Sequence, residues 1–375
     1  MKIFSIIPPR LGGLDLIFPL LLKLKTQHPN IKIEIVFMDN KAYNDLSRDQ
    51  FLYTEVKDCA DKIYDLKPHK GGKIRNRFFS FLNSIPLFIR VLTASNPVLI
   101  HSGLEESLFN RLLSKAVRMR SGRIFVHLPS LHITIGVSPP DRKYGKAPDM
   151  DAFLYFGDAD LAYLKNRKFP SFIQIGYPRL FSIWKENVLN KSSVMVENEL
   201  RNKNFSPSLK LVTVFVPSTV ENVFNINELR EWLVSVLKIL RESFPEDLIL
   251  LKPHPLQKME VVKDVLREMN DENISISFLH AGVLAASSQL VVSHHSSAIV
   301  DAMGLLIPYI QYQRFTTHWL RRHPDGSSSL KLEPLWARNE NDLRKCIVKA
   351  LSKDYVVPNI ETALKHKENT SMFIE

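Results

Sequence analysis

The sequence predicts an α/β protein of two domains, each a parallel sheet flanked by helices, and three observations carry that expectation. The chain has 375 residues, more than one hydrophobic core usually supports. Short apolar runs alternate with helix-length segments, the pattern of parallel strands joined by helical crossovers. The alternation stops across residues 186–210, a polar stretch without an apolar strand, and then restarts. The expected organisation is an N-terminal domain over 1–185, a linker over 186–210 and a C-terminal domain over 211–350. Residues 351–375 are expected to be a C-terminal helix or tail, with the option of packing back on the first domain.

In the first half, "MKIFSIIP" reads as a short buried strand, "RLGGLDL" as a glycine loop and "LIFPLLLKLKTQHP" as the helix that follows. "IKIEIVFMD" alternates cleanly enough to be a second strand. Apolar runs recur at "PVLIHSG", "RIFVHLP", "AFLYFG" and "SFIQIGYP". After the polar stretch come strand "KLVTVFVPST", helix "NELREWLVSVLKILRESF", strand "DLILLKP" and helix "EVVKDVLREM". They are followed by strand "ISISFL", helix "AGVLAASS", strand "QLVVSHHSS" and helix "AIVDAMGLL". "PYIQYQ" and a last helical stretch, "NENDLRKCIVKALSK", complete the pattern, and no internal repeat suggests a solenoid.

Composition narrows the function class. An apolar fraction of 45% with 24% charged residues is that of a soluble globular protein. No apolar stretch reaches the roughly 18 residues a spanning helix needs. "MKIFSIIPP" lacks the cleavage pattern of a secretory signal. Cys59 and Cys346 have neither metal-ligand nor redox spacing, which suits a reducing compartment. A cytoplasmic protein is expected, with peripheral attachment to the inner membrane as the further option. The net charge of +11 calls for an anionic partner: nucleic acid, anionic lipid or a phosphorylated ligand. Residues 69–90 mix Lys70, Lys73, Arg75, Arg77 and Arg90 with Phe78, Phe79, Phe81 and Phe88. That mixture suits contact with an anionic membrane interface, or else a solvated basic loop leading into a buried helix. No zinc-finger spacing, helix-turn-helix or RNA-binding aromatic motif appears, so nucleic acid is not expected as a partner.

Ligands of open α/β sheets bind beyond the carboxyl ends of the strands. In the second half this rule selects Pro217, Ser218 and Thr219, then Lys252, His254 and Pro255, then His294, His295, Ser296 and Ser297. Pro255 biases His254 away from the helical region, so "LKPHP" is a stiff bend that aims the imidazole. In "VVSHHSSAIVDAMGLLIP" a strand gives way to paired hydroxyls at a helix start, where backbone N–H groups favour an anion. Simple helix capping is the competing account of the serines. His28-Pro29 and His323-Pro324 repeat the dipeptide without a buried strand before it.

Two α/β halves joined by a linker resemble the two-Rossmann-like-domain glycosyltransferases, the GT-B architecture, whose parallel sheets face a central cleft. "LKPHP" followed about forty residues later by "SHHSSAIVDAMGLLIP" resembles the HP and serine motifs of bacterial sialyltransferases, polysialyltransferases and capsule Kdo transferases. It is also similar to the loops of the teichoic-acid CDP-glycerol glycerophosphotransferases. The resemblance covers mainly residues 211–310. It implies that His254, Ser296 and Ser297 bind the phosphate of a cytidine nucleotide; Lys252, Pro255, Ser218, Thr219 and His295, on the same strand-end loops, are further candidates for the donor site. It further implies a nucleotide-sugar donor as substrate, a glycan or glycolipid acceptor, and no metal or other cofactor.

A transferase also needs a base for the acceptor hydroxyl. The sialyltransferases place it in an acidic-acidic-glycine motif, which this chain lacks. The glycerophosphotransferases carry a Trp-His-Gly motif, and "RIFVHLPSLHITIG" is similar in outline, which puts His127 first as general base. An ordinary imidazole pKa near 6.5 suits that task at neutral pH. Glu105, Glu106 and Asp15 are the runners-up, and His127 as a core histidine is the competing account. Gly12, Gly13, His101 and Arg179 are candidate acceptor contacts, Arg179 in "IGYPR", a segment similar to a turn of the glycerophosphotransferases. Asp149-x-Asp151 and Asp158-x-Asp160 have the spacing by which other glycosyltransferases hold a divalent metal, although boundary residues of a strand look the same. The expected activity is inverting, metal-independent glycosyl transfer from a CMP-activated acidic sugar in capsule or lipopolysaccharide synthesis. The alternatives are CDP-glycerol-type glycerophosphotransfer, a UDP-GlcNAc 2-epimerase-like activity of the same fold, and a basic non-enzymatic scaffold.

Overall fold

The N-terminal apolar run forms β1 (Lys2–Ile7), buried on both faces as an inner strand of a parallel sheet must be. The structure is a computed structural model. It describes residues 1–8, 11–66, 73–103, 107–128, 149–158, 161, 169–217, 219, 225–255, 257, 259–294, 296–314 and 335–373, with the side chains of these apart from residues 40 and 73–81. Contacts divide the chain into two units, Met1–Trp184 with Lys365–Glu375, and Lys185–Leu364.

The first unit adds β2 (Lys32–Phe37), β3 (Lys62–Asp65), β4 (Val98–Ser102), β5 (Arg123–His127), β6 (Ala152–Tyr155) and β7 (Phe172–Gln174). The seven strands are parallel throughout, in the order β3-β2-β1-β4-β5-β6-β7. Its helices are α1 (Gly12–Gln27), α2 (Asn40–Arg48), α3 (Gln50–Cys59), α4 (Lys73–Thr93) and α5 (Leu108–Met119). Register and strand alternation sort the residues by face. Ser5, Ile100 and Phe125 lie in one row, and Ser102 and His127 in the next row of the same face. The other face, with Phe4, Leu99, Ile124 and Val126, packs against Leu87 and Val91 of α4 and Leu113 and Val117 of α5. Fully buried Glu34 ties α4 to β2: its carboxylate accepts from Arg90 Nε (2.8 Å) and from Tyr64 Oη (2.9 Å).

The stretch expected as a linker over 186–210 is instead mostly helical, in α6 (Ser182–Asn202). Trp184, Val188, Ser192, Val196 and Leu200 recur every four residues and are all buried, which is the stripe a helix needs. The chain passes from one unit to the other inside this helix.

The second unit has β8 (Leu211–Val216), β9 (Leu248–Pro253), β10 (Ile274–Ile276), β11 (Leu290–Ser293), β12 (Tyr309–Tyr312) and β13 (Leu335–Ala337), in the order β10-β9-β8-β11-β12-β13. Every pairing is again parallel. Its helices are α7 (Ile226–Ser243), α8 (Met259–Met269), α9 (Ala281–Ala286), α10 (Ile299–Gly304), α11 (Glu340–Ala350) and α12 (Ile360–Ala363). Helix α7 starts at a capping box between Asn225 and Glu228 and buries Leu229, Trp232, Leu233, Val236, Leu237 and Leu240. In both sheets the first strand is followed by two strands on one side and the rest on the other. The direction reverses between β1 and β4, and between β8 and β11.

The last residues rejoin the first unit. Tyr177 N–H donates to His366 Nδ1 (3.0 Å), Ser182 N–H donates to Glu368 (2.8 Å), and fully buried Phe373 meets Phe125 edge-on at 5.0 Å. Gly176 is required here: its φ is +78°, and a Cβ would collide with the Lys367 carbonyl. Among the described residues no helix is long and apolar enough to cross a membrane.

Candidate functional site

Each unit gathers its candidate residues where the strand order reverses, the place at which a doubly wound sheet opens a crevice for a ligand. In the second unit the loops after β9 and β11 flank the loop after β8. The His254 bend is pinned by its own N–H to the Val216 carbonyl (3.0 Å) and by Gln257 N–H to the His254 carbonyl (2.8 Å). The Gln257 side chain then accepts from Thr219 N–H (3.0 Å), tying the β8 loop to the β9 loop. His254 and Pro255 are exposed, so the imidazole stands at the solvent edge of the sheet. Lys252 turns sideways, its Nζ donating to the Phe278 carbonyl (3.2 Å) beyond β10 and thus away from β11.

On the other side of β8, Ser293 Oγ donates to the Phe215 carbonyl (3.0 Å) and His294 is buried, its carbonyl accepting from Tyr309 Oη (3.3 Å). Ser296 and Ser297 are half-buried. The capping role expected of them is not what forms: Ala298 occupies the cap of α10, and Ser296 Oγ accepts from Ala298 N–H (3.2 Å) in a tight turn before the helix. The serines are therefore set on a turn leading into a six-residue helix. Ser218 and His295 lie outside the described residues.

In the first unit, "RLGGLDL" is not a loop over its length, because α1 begins at Gly12 and places Gly12, Gly13 and Asp15 in its first turn. Gly13 packs on Ser102, whose Oγ would collide with any Cβ at that position. Ser102 stands beside His127 in register, and Gly103 N–H donates to the His127 carbonyl (2.8 Å). Asp15 forms an ion pair with Arg179, which sits on the 3-10 turn Pro178–Leu180, so this carboxylate is engaged rather than free to act as a base.

His127 is fully buried beside Phe156 (ring centroids 6.1 Å apart). Its Nδ1 donates to the Leu128 carbonyl (2.7 Å), which fixes the tautomer and leaves Nε2 with its lone pair. Among the described residues Nε2 and Ser102 Oγ have no hydrogen-bond partner. The ordinary pKa expected for His127 is not kept: burial pushes it down to about 4, and His101 nearby adds to the fall. The ring is neutral at pH 7, with a lone pair to offer and a weak affinity for the proton.

His101, expected as an acceptor contact, points the other way. Strand alternation puts it on the α4–α5 face, where Nδ1 donates to the Gly103 carbonyl (3.0 Å) and Nε2 accepts from Asn110. Both ring nitrogens are occupied and burial lowers its pKa, so it is a structural histidine. Ser102 and Gln257 are the site residues that sequence reasoning missed. Parity along "LIHSG" could have found Ser102, whereas no local signal marks Gln257. Asp149 and Asp151 are both held by Arg118, and Asp151 also accepts from Ile124 N–H (2.6 Å), so the pair clasps α5 and β5. Asp158 pairs with Lys365. Glu105, Glu106 and Asp160 lie outside the described residues.

Two parallel sheets with reversal points of this kind define the class: the chain has the GT-B fold. Solved structures with this architecture span it end to end. The UDP-GlcNAc 2-epimerase from Neisseria meningitidis bound to UDP-GlcNAc is 13% identical with a TM-score of 0.59, covering 100% of this chain and 98% of that one. The UDP-GlcNAc 2-epimerase from Methanocaldococcus jannaschii is 14% identical with a TM-score of 0.57, covering 96% and 95%. The wall teichoic acid polymerase TagF is 12% identical with a TM-score of 0.54, covering 100% and 86%. At such identities it is the fold that is shared. No protein-family model and no curated protein sequence matches the chain.

Proposed function

We propose that the chain transfers an acidic sugar of the sialic acid or Kdo type from a cytidine nucleotide to a glycan or glycolipid acceptor, in bacterial capsule or lipopolysaccharide synthesis. The observation that carries this reading is the arrangement at the reversal of the second sheet, where the His254 bend and the Ser296–Ser297 turn flank β8. An imidazole and two hydroxyls held by short turns suit a phosphate leaving group, on which negative charge builds as the glycosidic bond breaks. In this scheme the acceptor oxygen bonds the anomeric carbon as its proton passes to a base, for which His127 Nε2 is the candidate, and the bond to the CMP phosphate breaks with inversion. Ser102, beside His127, would orient the acceptor hydroxyl. No metal takes part in this scheme, and Arg118 already engages the Asp149 and Asp151 carboxylates.

A second reading, glycerophosphate transfer from CDP-glycerol, is favoured by His127 at the end of β5 and by the likeness to TagF, a protein whose structure was determined with CDPG. Thermal unfolding with CMP, CDP, UDP and GDP tests the cytidine assignment. Cytidine nucleotides are expected to stabilise the protein most, and His254→Ala to weaken them by about 1.5–3 kcal/mol, ten- to hundredfold in Kd. CMP release from CMP-sialic acid, CMP-Kdo and CDP-glycerol then separates the two readings. Stabilisation by UDP alone, with conversion of UDP-GlcNAc in the absence of an acceptor, would replace both with an epimerase.

A further inference from the structure

A helix of a soluble domain ordinarily carries one apolar stripe, turned toward the core. Helix α4 carries two. Ser84, Leu87 and Val91 are buried on the first sheet, while Leu82, Ile85, Ile89 and Leu92, three and four residues apart, form a second stripe that is 38% to 55% exposed. Helix α5 lies beside it, with Phe109 edge-on to Phe88 at 5.8 Å, and repeats the pattern. Leu113 and Val117 face the core; Leu108, Leu112 and Met119 are exposed, at 70%, 38% and 75%, with exposed Lys115 in the same stripe. Both helices cover one face of the sheet, so the stripes belong to one surface.

Charge decides what covers it. Residues 66–140 hold eleven Lys and Arg against two acidic residues, Glu105 and Glu106; Arg90 and Arg118 are paired with Glu34 and with Asp149 and Asp151, and nine basic residues remain. Lys73, Arg75 and Arg77 fall in the first turns of α4, and Arg111 and Lys115 on the exposed side of α5. A second copy docked by the same face would bring like charges together. Nucleic acid would call for stacking aromatics, whereas the large exposed side chains among the described residues of α4 and α5 are Leu, Ile and Met. We infer that the α4–α5 face docks on an anionic lipid bilayer, its aliphatic side chains entering the acyl boundary and its Lys and Arg meeting the headgroups. The inference stands apart from the transferase reading and does not need it.

Flotation of the full chain with phosphatidylcholine vesicles containing about one third phosphatidylglycerol tests it. The chain is expected to float with these vesicles and not with phosphatidylcholine alone, and to be released by salt. Combining Ile89→Glu, Leu108→Glu and Met119→Glu is expected to lower partition by about tenfold or more, with unchanged circular dichroism and melting temperature. Leu189→Glu, at a 52% exposed position on α6, should leave partition unchanged. Three outcomes overturn the inference: no flotation, equal flotation of the triple variant, or a dimer that the triple variant dissolves without any vesicle binding. Salt-sensitive DNA binding without flotation would assign the surface to nucleic acid instead.

Discussion

A single position of strand parity separates His101 from His127 in the first unit. His127 shares its face with Ser102 and the start of α1, whereas His101 turns to Asn110 and is spent on structure. Sequence reading put His127 first as base and His101 among the acceptor contacts, but could not see that they face opposite ways, because that depends on register between strands far apart in the chain. The buried ring also makes a pH prediction. Its folded pKa of about 4 lies below the ordinary value of 6.5, so both folded and unfolded states are neutral above about pH 6.5 and the stability is then fully present. As pH falls toward 4 the unfolded state takes up a proton that the folded state refuses. About 3 kcal/mol of stability should disappear across that window. His101 titrates in the same direction. Urea unfolding at pH 7 and pH 4.5 checks this, and His127→Gln should flatten the difference.

At the scale of elements, the inner strands were legible because strands buried on both faces read as nearly continuous apolar runs, as "LVTVFV" and "LILLKP" do. Edge strands β3 and β13 escaped, β3 because its four residues include Lys62 and Asp65, and β13 because three residues are too short a run to stand out. Helix α6 escaped because Ser192 and many charges interrupt a stripe that is regular once Trp184, Val188, Val196 and Leu200 are counted every fourth residue. The donor-side turns were found because proline and paired serines leave local signatures. Gln257 leaves none, since its role is to hold a loop distant in sequence. Packing also predicts how α4 is kept in place. Glu34→Ala would strip the buried partner from Arg90 and Tyr64 and should cost roughly 3 kcal/mol, read as an earlier urea midpoint, with Glu34→Gln recovering part of it.

Over the whole molecule, the chain crosses between units twice, at 184/185 and at 364/365. The second crossing brings Phe373 into the core of the first unit against Phe125, at no exposure to solvent. Phe373→Ala should therefore destabilise the first unit by about 3–5 kcal/mol. In a melt that resolves two transitions, only the one belonging to the first unit should move, and donor nucleotide should still raise the other.

The return of the tail also sets an order of events during synthesis. Domains usually fold in the order they are made, the N-terminal one first. Here the first unit lacks Phe373, His366 and Glu368 until every residue of the second has been translated. The later-made unit can complete its core first. Until the tail arrives, the parts of β5 and β7 that Phe373 and Asn369 touch lack that cover, and that interval is when a chaperone or a misfolding contact has access to them.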